Sequence, residues 1–266
     1  MPFLLSLILL STPLLADELH HELISGKRGK VEIYWQRPDG TGPFPALILV
    51  HGHQGHNKVG AENIAMSGYF PEILKKGFVA IAVSQSGYGK TEGAPDNCGE
   101  TSQEALKAAI QFARQQKFIV GSKIALAGSS MGASLSALIA SQDEKLAGAI
   151  VSSGIYDQKE ALLKLGFYAR LNGEFSPLQD ELQNETQNRY DIRSALSHAE
   201  KIKIPLLIMT GLGDQIAPPD QSLALHKKIQ ASGGKSRLVI FPFAGHSIHP
   251  GLMGPEINKF LEEIVR

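Results

Sequence analysis

Ala125-Leu126-Ala127-Gly128-Ser129-Ser130-Met131-Gly132-Ala133 reads as three pieces in a row. Lys123 to Ser129 is a short apolar strand, Gly128 to Gly132 a tight turn, and Met131 to Gln142 a helix of small residues. Ser130 stands at the centre of Gly128-x-Ser130-x-Gly132, the pattern of a nucleophile elbow. A hydroxyl is a weak nucleophile and must be lifted clear of the backbone to reach a substrate. A sharp strand-to-helix turn does this, and flanking glycines relieve the crowding it creates. The first turn of the following helix leaves backbone N–H groups free to face an oxyanion beside the serine. With 27 glycines in the chain the pattern decides nothing alone, so its surroundings must.

Working outward, the chain alternates apolar runs with helical patterns. Ala46–Val50, Phe78–Val83, Leu146–Ser152 and Pro205–Thr210 are runs with the character of strands covered on both faces, and Leu238–Phe241 reads as a last strand. Lys30–Arg37 alternates like a half-exposed strand. Helices are predicted over Glu62–Lys76, Glu100–Gln116, Asp220–Ala231 and Glu256–Arg266. Such alternation predicts a mostly parallel sheet with helices on both faces. The stretch from Tyr156 to Ile202 breaks the rhythm, and about 156–202 is expected to form a small helical cap.

Composition narrows the partners. The 266 residues carry 26 Lys+Arg and 26 Asp+Glu, so nothing favours nucleic acid. Cys98 is the single cysteine, which excludes an internal disulfide. Residues 1–16 are almost continuously apolar, shorter than the roughly 20 residues of a membrane span. They fit a signal peptide cleaved after Ala16, although no Lys or Arg precedes the apolar run. The expectation is a secreted or periplasmic chain, 17–266 forming a single domain, with no membrane span after signal removal.

In doubly wound sheets, reactive groups collect beyond the carboxyl ends of the strands. The polar residues at those ends are the His51–His56 loop, Ser130, Asp214 and His246. Ser130, Asp214 and His246 follow in the order nucleophile, acid, base, each just after a predicted strand. In this reading His246 takes the Ser130 proton, and Asp214 fixes the imidazole tautomer. His249 is a weaker competitor for the base. Asp191 and Asp220 are weaker competitors for the acid, because neither directly follows a strand.

His51-Gly52, Gly87-Tyr88-Gly89, Gly128-x-Ser130-x-Gly132, Asp214-x-x-x-Pro218 and Gly245-His246, in this order, resemble the α/β-hydrolase superfamily. Within it the chain is similar to the prolyl-oligopeptidase catalytic domain and to dienelactone-hydrolase-like esterases, from about residue 30 to the end. The resemblance implies an α/β-hydrolase fold and a serine hydrolase that cleaves an ester or amide through an acyl-enzyme, without a cofactor. It places oxyanion donors at the backbone N–H groups of His53 and Met131. A small residue is more usual at the first of these positions. A carboxylesterase acting on small esters is the leading expectation and a serine peptidase acting on short peptides the alternative. Tyr88, Phe167 and Tyr168, with Phe175, are candidates for the substrate pocket.

Two other readings compete. His51-x-His53-x-Gly55-His56 has nearly the spacing of a zinc-hydrolase histidine motif, but glycine occupies the aspartate position and later ligands are not evident. No metal is therefore expected. A binding protein on an inactive hydrolase fold is the remaining alternative. It would ordinarily lack a member of the Ser–His–Asp set, and none is lacking here.

Overall fold

A computed structural model describes residues 18–165 and 190–266. Eight strands form one sheet in the order β1-β2-β4-β3-β5-β6-β7-β8. They are β1 His20–Gly26, β2 Gly29–Gln36, β3 Phe44–Val50, β4 Val79–Val83, β5 Ile119–Ser129, β6 Gly148–Ser152, β7 Leu206–Gly211 and β8 Ser236–Phe241. The pairs β1–β2 and β2–β4 are antiparallel, and the rest are parallel.

Period-2 alternation in buried strands sends neighbouring residues to opposite layers. Ala46, Ile48 and Val50 of β3 join one core with α3 (Glu100–Gln115) and α4 (Met131–Ala140). Leu47 and Leu49 join the other with α1 (Glu62–Ala65), α2 (Tyr69–Lys75) and the C-terminal helix Pro250–Val265. Both sheet faces are therefore covered, which leaves the strand ends as the open places.

Several expectations are corrected. Lys30–Arg37 is not half-exposed: Val31 to Trp35 are all buried, because β2 lies between β1 and β4. Glu32 is buried within it and accepts hydrogen bonds from Ser84 Oγ at 2.7 Å and Lys90 N at 3.1 Å. The helix predicted over Glu62–Lys76 is two short helices, broken at Met66–Gly68, where Ser67 Oγ donates to Ile64 O. The last helix begins at Pro250, six residues before its predicted start, with His249 as its cap: His249 Nδ1 accepts from Gly251 N. Pro at the first helical position leaves no backbone donor unsatisfied there.

Of the expected cap, residues 166–189 lie outside the described residues, as do residues 1–17. The described flanks are α5 (Gln158–Leu165), the 3₁₀ helix Ala195–Lys201 and the residues leading into each. They are tied to the body through Gln221 in α6 (Pro219–Ala231), whose Oε1 accepts from Tyr156 N and Asp157 N.

Candidate active site

The elbow is shaped by sterics. Ser130 has φ 54° and ψ −122°, a positive φ that a side-chain-bearing residue adopts only under constraint. The constraint is close backbone approach on both sides. A Cβ on Gly128 would sit 2.2 Å from Gly132 O, and a Cβ on Gly132 would sit 2.1 Å from Val50 O. Only glycine fits at either position, so the strand and helix can meet tightly enough to expel the serine from the backbone line. Ser130 N donates to Ser152 O at 2.8 Å, which fastens the turn to β6.

The acid and base come from the two neighbouring strand ends. Two backbone bonds lace their loops together, Leu212 N to Phe241 O and Gly213 N to Ala244 O. Gly211 permits the approach, since a Cβ there would lie 2.3 Å from Gly245 O. Asp214 is buried, 3% exposed. Its Oδ1 accepts from Ile216 N at 2.9 Å and Ala217 N at 2.8 Å, so the carboxylate is hydrogen-bonded where it cannot be hydrated.

His246 bridges the two. Its Nδ1 lies 2.9 Å from Asp214 Oδ2 and 3.1 Å from Oδ1, and its Nε2 lies 3.0 Å from Ser130 Oγ. With the proton on Nδ1 facing the carboxylate, Nε2 is left as the acceptor for the serine O–H. The three side chains expected from chain order are thus within hydrogen-bonding reach. The competitors are elsewhere. His249 caps a helix, Asp220 lies in the first turn of α6, and Asp191 accepts from Ser197 Oγ.

The two residues expected to give oxyanion donors, His53 and Met131, lie in the loop after β3 and at the start of α4. Met131 is the first residue of α4, so its N–H belongs to the unpaired first turn. Gly52 packs against the serine: a Cβ on it would lie 3.1 Å from Ser130 Cβ and 3.8 Å from Ser130 Oγ. His53 follows directly, and its Nδ1 accepts from Gly55 N at 3.3 Å.

The pocket residues fare differently. Phe167, Tyr168 and Phe175 lie outside the described residues. Tyr88 is corrected from a pocket-lining residue to an interior one. It is 1% exposed, with its ring centroid 4.7 Å from that of His51, beneath the loop after β3. Cys98 is buried, its Sγ donates to Met131 O at 3.4 Å, and burial pushes its thiol pKa up, which makes it inert as a nucleophile.

The histidines of the zinc alternative differ in their surroundings. His51 is buried with both ring nitrogens engaged, by Gly52 O and Gln85 N, whereas His56 is exposed. Among the described residues no group of three or more His, Cys, Asp or Glu side chains converges as a metal site.

Two features escaped sequence reasoning. Glu32 and Gln85 anchor the loops around the serine, yet each reads as an isolated polar residue in or beside an apolar strand. Their only signal was that polarity, and nothing local names their partners.

Known proteins share the family and the fold of this chain. Residues 71–261, well over half of the chain, match the prolyl oligopeptidase family. The chain is 25% identical over 227 residues to dipeptidyl aminopeptidase BIII of Pseudoxanthomonas mexicana, covering 82% of this chain and 32% of that one. It is 23% identical over 214 residues to the acylamino-acid-releasing enzyme of Sus scrofa, covering 77% and 29%. It therefore spans about a third of the length of these relatives. In fold it is similar to dipeptidyl peptidase 4 of Porphyromonas gingivalis (TM-score 0.76, 17% identity, 93% of this chain and 36% of that one). It is also similar to acetyl xylan esterase 1 of Thermoanaerobacterium sp. (TM-score 0.71, 16% identity, 95% and 89%). The chain belongs to the prolyl oligopeptidase family and has the α/β-hydrolase fold.

Proposed function

We propose that this protein is a carboxylesterase that cleaves small esters through an acyl-enzyme on Ser130. The observation that carries the reading is the unbroken chain Ser130 Oγ–His246 Nε2, His246 Nδ1–Asp214. His246 removes the serine proton as Oγ attacks the acyl carbon. The same proton then goes to the leaving alkoxide, and a water repeats the cycle to release the acid. Asp214 holds the tautomer and stabilises the imidazolium. The N–H groups of Met131 and His53 hold the tetrahedral oxyanion.

The ester reading is supported by the presence of an acetyl xylan esterase among the structures that share this fold. The second reading, a peptidase acting on short peptides, is favoured by the family itself.

A panel of p-nitrophenyl acyl esters beside aminoacyl anilides decides between them, and the expected result is turnover of short acyl esters well above any anilide. Ser130→Ala should abolish fluorophosphonate labelling. His246→Ala should lower kcat by about 10⁶-fold and Asp214→Asn by about 10⁴-fold. An unlabelled wild-type chain, or His246→Ala as active as wild type, would sink the assignment.

A further inference from the structure

The sheet order places β6 between β5, which leads to Ser130, and β7, which leads to Asp214. β6 supplies no member of the triad, yet the turn after it is held by both neighbours. On the elbow side, Ser130 N donates to Ser152 O at 2.8 Å. Ser134 in α4 is 1% exposed. Its Oγ accepts from Ile155 N at 3.0 Å and donates to Ser130 O at 3.3 Å, so one hydroxyl joins the turn to the carbonyl of the nucleophile. The turn is strained where it leaves the strand. Ser153 has φ 54°, a conformation that a side-chain-bearing residue keeps only when its surroundings impose it. Ser153 N donates to Met209 O at 2.9 Å, which fastens that point to β7.

On the acid side, α6 starts directly after the loop that carries Asp214. Gln221, near its beginning, is 3% exposed. Its Oε1 accepts from Tyr156 N at 2.9 Å and from Asp157 N at 2.8 Å, and its Nε2 donates to Glu160 Oε2. An apolar contact adds to this grip, because Ile155, Ala161 and Ala217 form a small buried cluster. Ala217 is also the residue whose N–H donates to Asp214 Oδ1 at 2.8 Å. The acid loop therefore rests on the turn through Ala217, and α6 holds it through Gln221.

The separation of the two carriers matters because an imidazole is rigid. His246 reaches Asp214 Oδ2 at 2.9 Å with one nitrogen and Ser130 Oγ at 3.0 Å with the other. An acid that draws back from the serine by about 1 Å would break one of these two bonds. A buried amide with matched partners stabilises a fold wherever it lies. What gives Ser134 and Gln221 more than that is their place, on opposite sides of one turn between nucleophile and acid.

We propose that Ser134 and Gln221 are positioning residues that clamp the turn 153–157 as a strut between the elbow and the acid loop, and that this strut sets the distance His246 has to span. The inference rests on the hydrolase reading above. Both side chains act through Ser130 and Asp214, not on the substrate.

The test uses the full chain and measures kcat per fluorophosphonate-labelled site, KM for p-nitrophenyl acetate and the rate of labelling. Gln221→Leu keeps most of the volume and removes all three hydrogen bonds. The exchange of Gln221→Glu together with Glu160→Gln keeps an acceptor for the two N–H groups and a hydrogen bond between the two side chains. Ser134→Ala removes only the hydroxyl. Gln221→Leu should lower kcat about 30-fold with KM within about threefold, and Ser134→Ala about tenfold. The exchange should recover about tenfold of the Gln221→Leu loss. Added to Asp214→Asn, Gln221→Leu should slow labelling by no more than about threefold further, because its effect runs through the acid already altered. A folded Gln221→Leu with unchanged kcat per site overturns the proposal, since a role in stability alone leaves that value untouched. So does an exchange no better than Gln221→Leu, or a full further loss in the Asp214→Asn background. If Gln221→Leu does not fold, Ser134→Ala decides, and unchanged kcat there overturns it. A wild-type chain inert to fluorophosphonate brings down the hydrolase reading and this inference together. A reactive wild type with indifferent variants brings down this inference alone.

Discussion

Ser130 is gripped from two sides by different physics. On the elbow side, steric exclusion sets the geometry: Gly128 and Gly132 lie so close to carbonyl backbone that no other residue fits. On the loop side, the segment from His51 to Gly60 is held by hydrogen bonds from side chains. Gln85 grips its start, and Gln54 grips Gly60 through both amide atoms, accepting from Gly60 N at 2.7 Å and donating to Gly60 O at 2.8 Å. Steric geometry is specified by residues a few places apart, and it is intolerant. Hydrogen-bonded geometry is specified by residues that can be distant in sequence, and it yields in increments.

Matched glycine substitutions expose the contrast most sharply. Gly132→Ala places a Cβ against the backbone of Val50 and His51, neither of which is a flexible side-chain tip. It should destabilise the fold by about 3 kcal/mol or more and abolish any turnover of p-nitrophenyl acetate with it. Gly55, on the loop side, has φ +58° and nothing within 4 Å of a built Cβ. Gly55→Ala carries only the left-handed backbone strain, about 1 to 2 kcal/mol, and should retain measurable turnover. Thermal melts and kcat for the pair test this, and equal losses would show that the two sides are not held differently.

The same contrast explains what could be read from the sequence. The strands β3, β4, β6 and β7 were legible because a strand covered on both faces must be apolar throughout, as Ala46–Val50 is; β8 was legible as the apolar run Leu238–Phe241, although it lies at the sheet edge with Ile240 exposed. The elbow was legible because its sterics demand glycine at fixed spacing. The order Ser130, Asp214, His246 was legible because each follows a strand end. β1 was not. His20–Gly26 is an edge strand whose burial alternates and whose partners are aromatic rings, with His20 stacked on Trp35 at 4.0 Å and His21 on Tyr34 at 4.3 Å. Only Leu23 and Ile24 in it are apolar, too few to mark a strand. The interior place of Tyr88 was not legible either, because a tyrosine in a glycine-rich loop looks the same whether it faces substrate or packs beneath His51. Glu32 and Gln85 were hidden for the same reason: their partners lie tens of residues away.

The loop side should also respond to pH where the elbow side does not. Burial lowers the His51 pKa from 6.5 to about 4. The unfolded chain then binds a proton that the folded chain refuses between those values. The stabilisation of the neutral buried ring is complete above pH 6.5 and is lost progressively as pH falls toward 4, by about 3 kcal/mol in all. Denaturant melts across that range should show the loss in wild type, and it should shrink in His51→Asn, which has no group to titrate there. A His51→Asn curve parallel to wild type would assign the slope to other groups.

The smallest effect expected is at the far end of the loop. Gln54→Ala leaves the Gly60 N–H and C=O without their side-chain partners while water can still reach the partly buried site. The loss should be about 1 kcal/mol of stability. What matters for the comparison is where any kinetic change appears. Gly60 is six residues from Gln54, has φ +64°, and adjoins Ala61, whose N–H donates to Ser84 Oγ at 2.7 Å, and Ser84 in turn donates to buried Glu32. That second anchor holds the distal end of the loop when Gln54 is removed, and the Gln85–His51 clamp holds the proximal end beside Ser130. Gln54→Ala should therefore lower kcat on p-nitrophenyl acetate by no more than about threefold, well short of the roughly tenfold loss expected when Gln85→Leu removes the hydrogen bond to His51 O. A loss from Gln54→Ala equal to that from Gln85→Leu would mean that the two ends of the loop are not held separately.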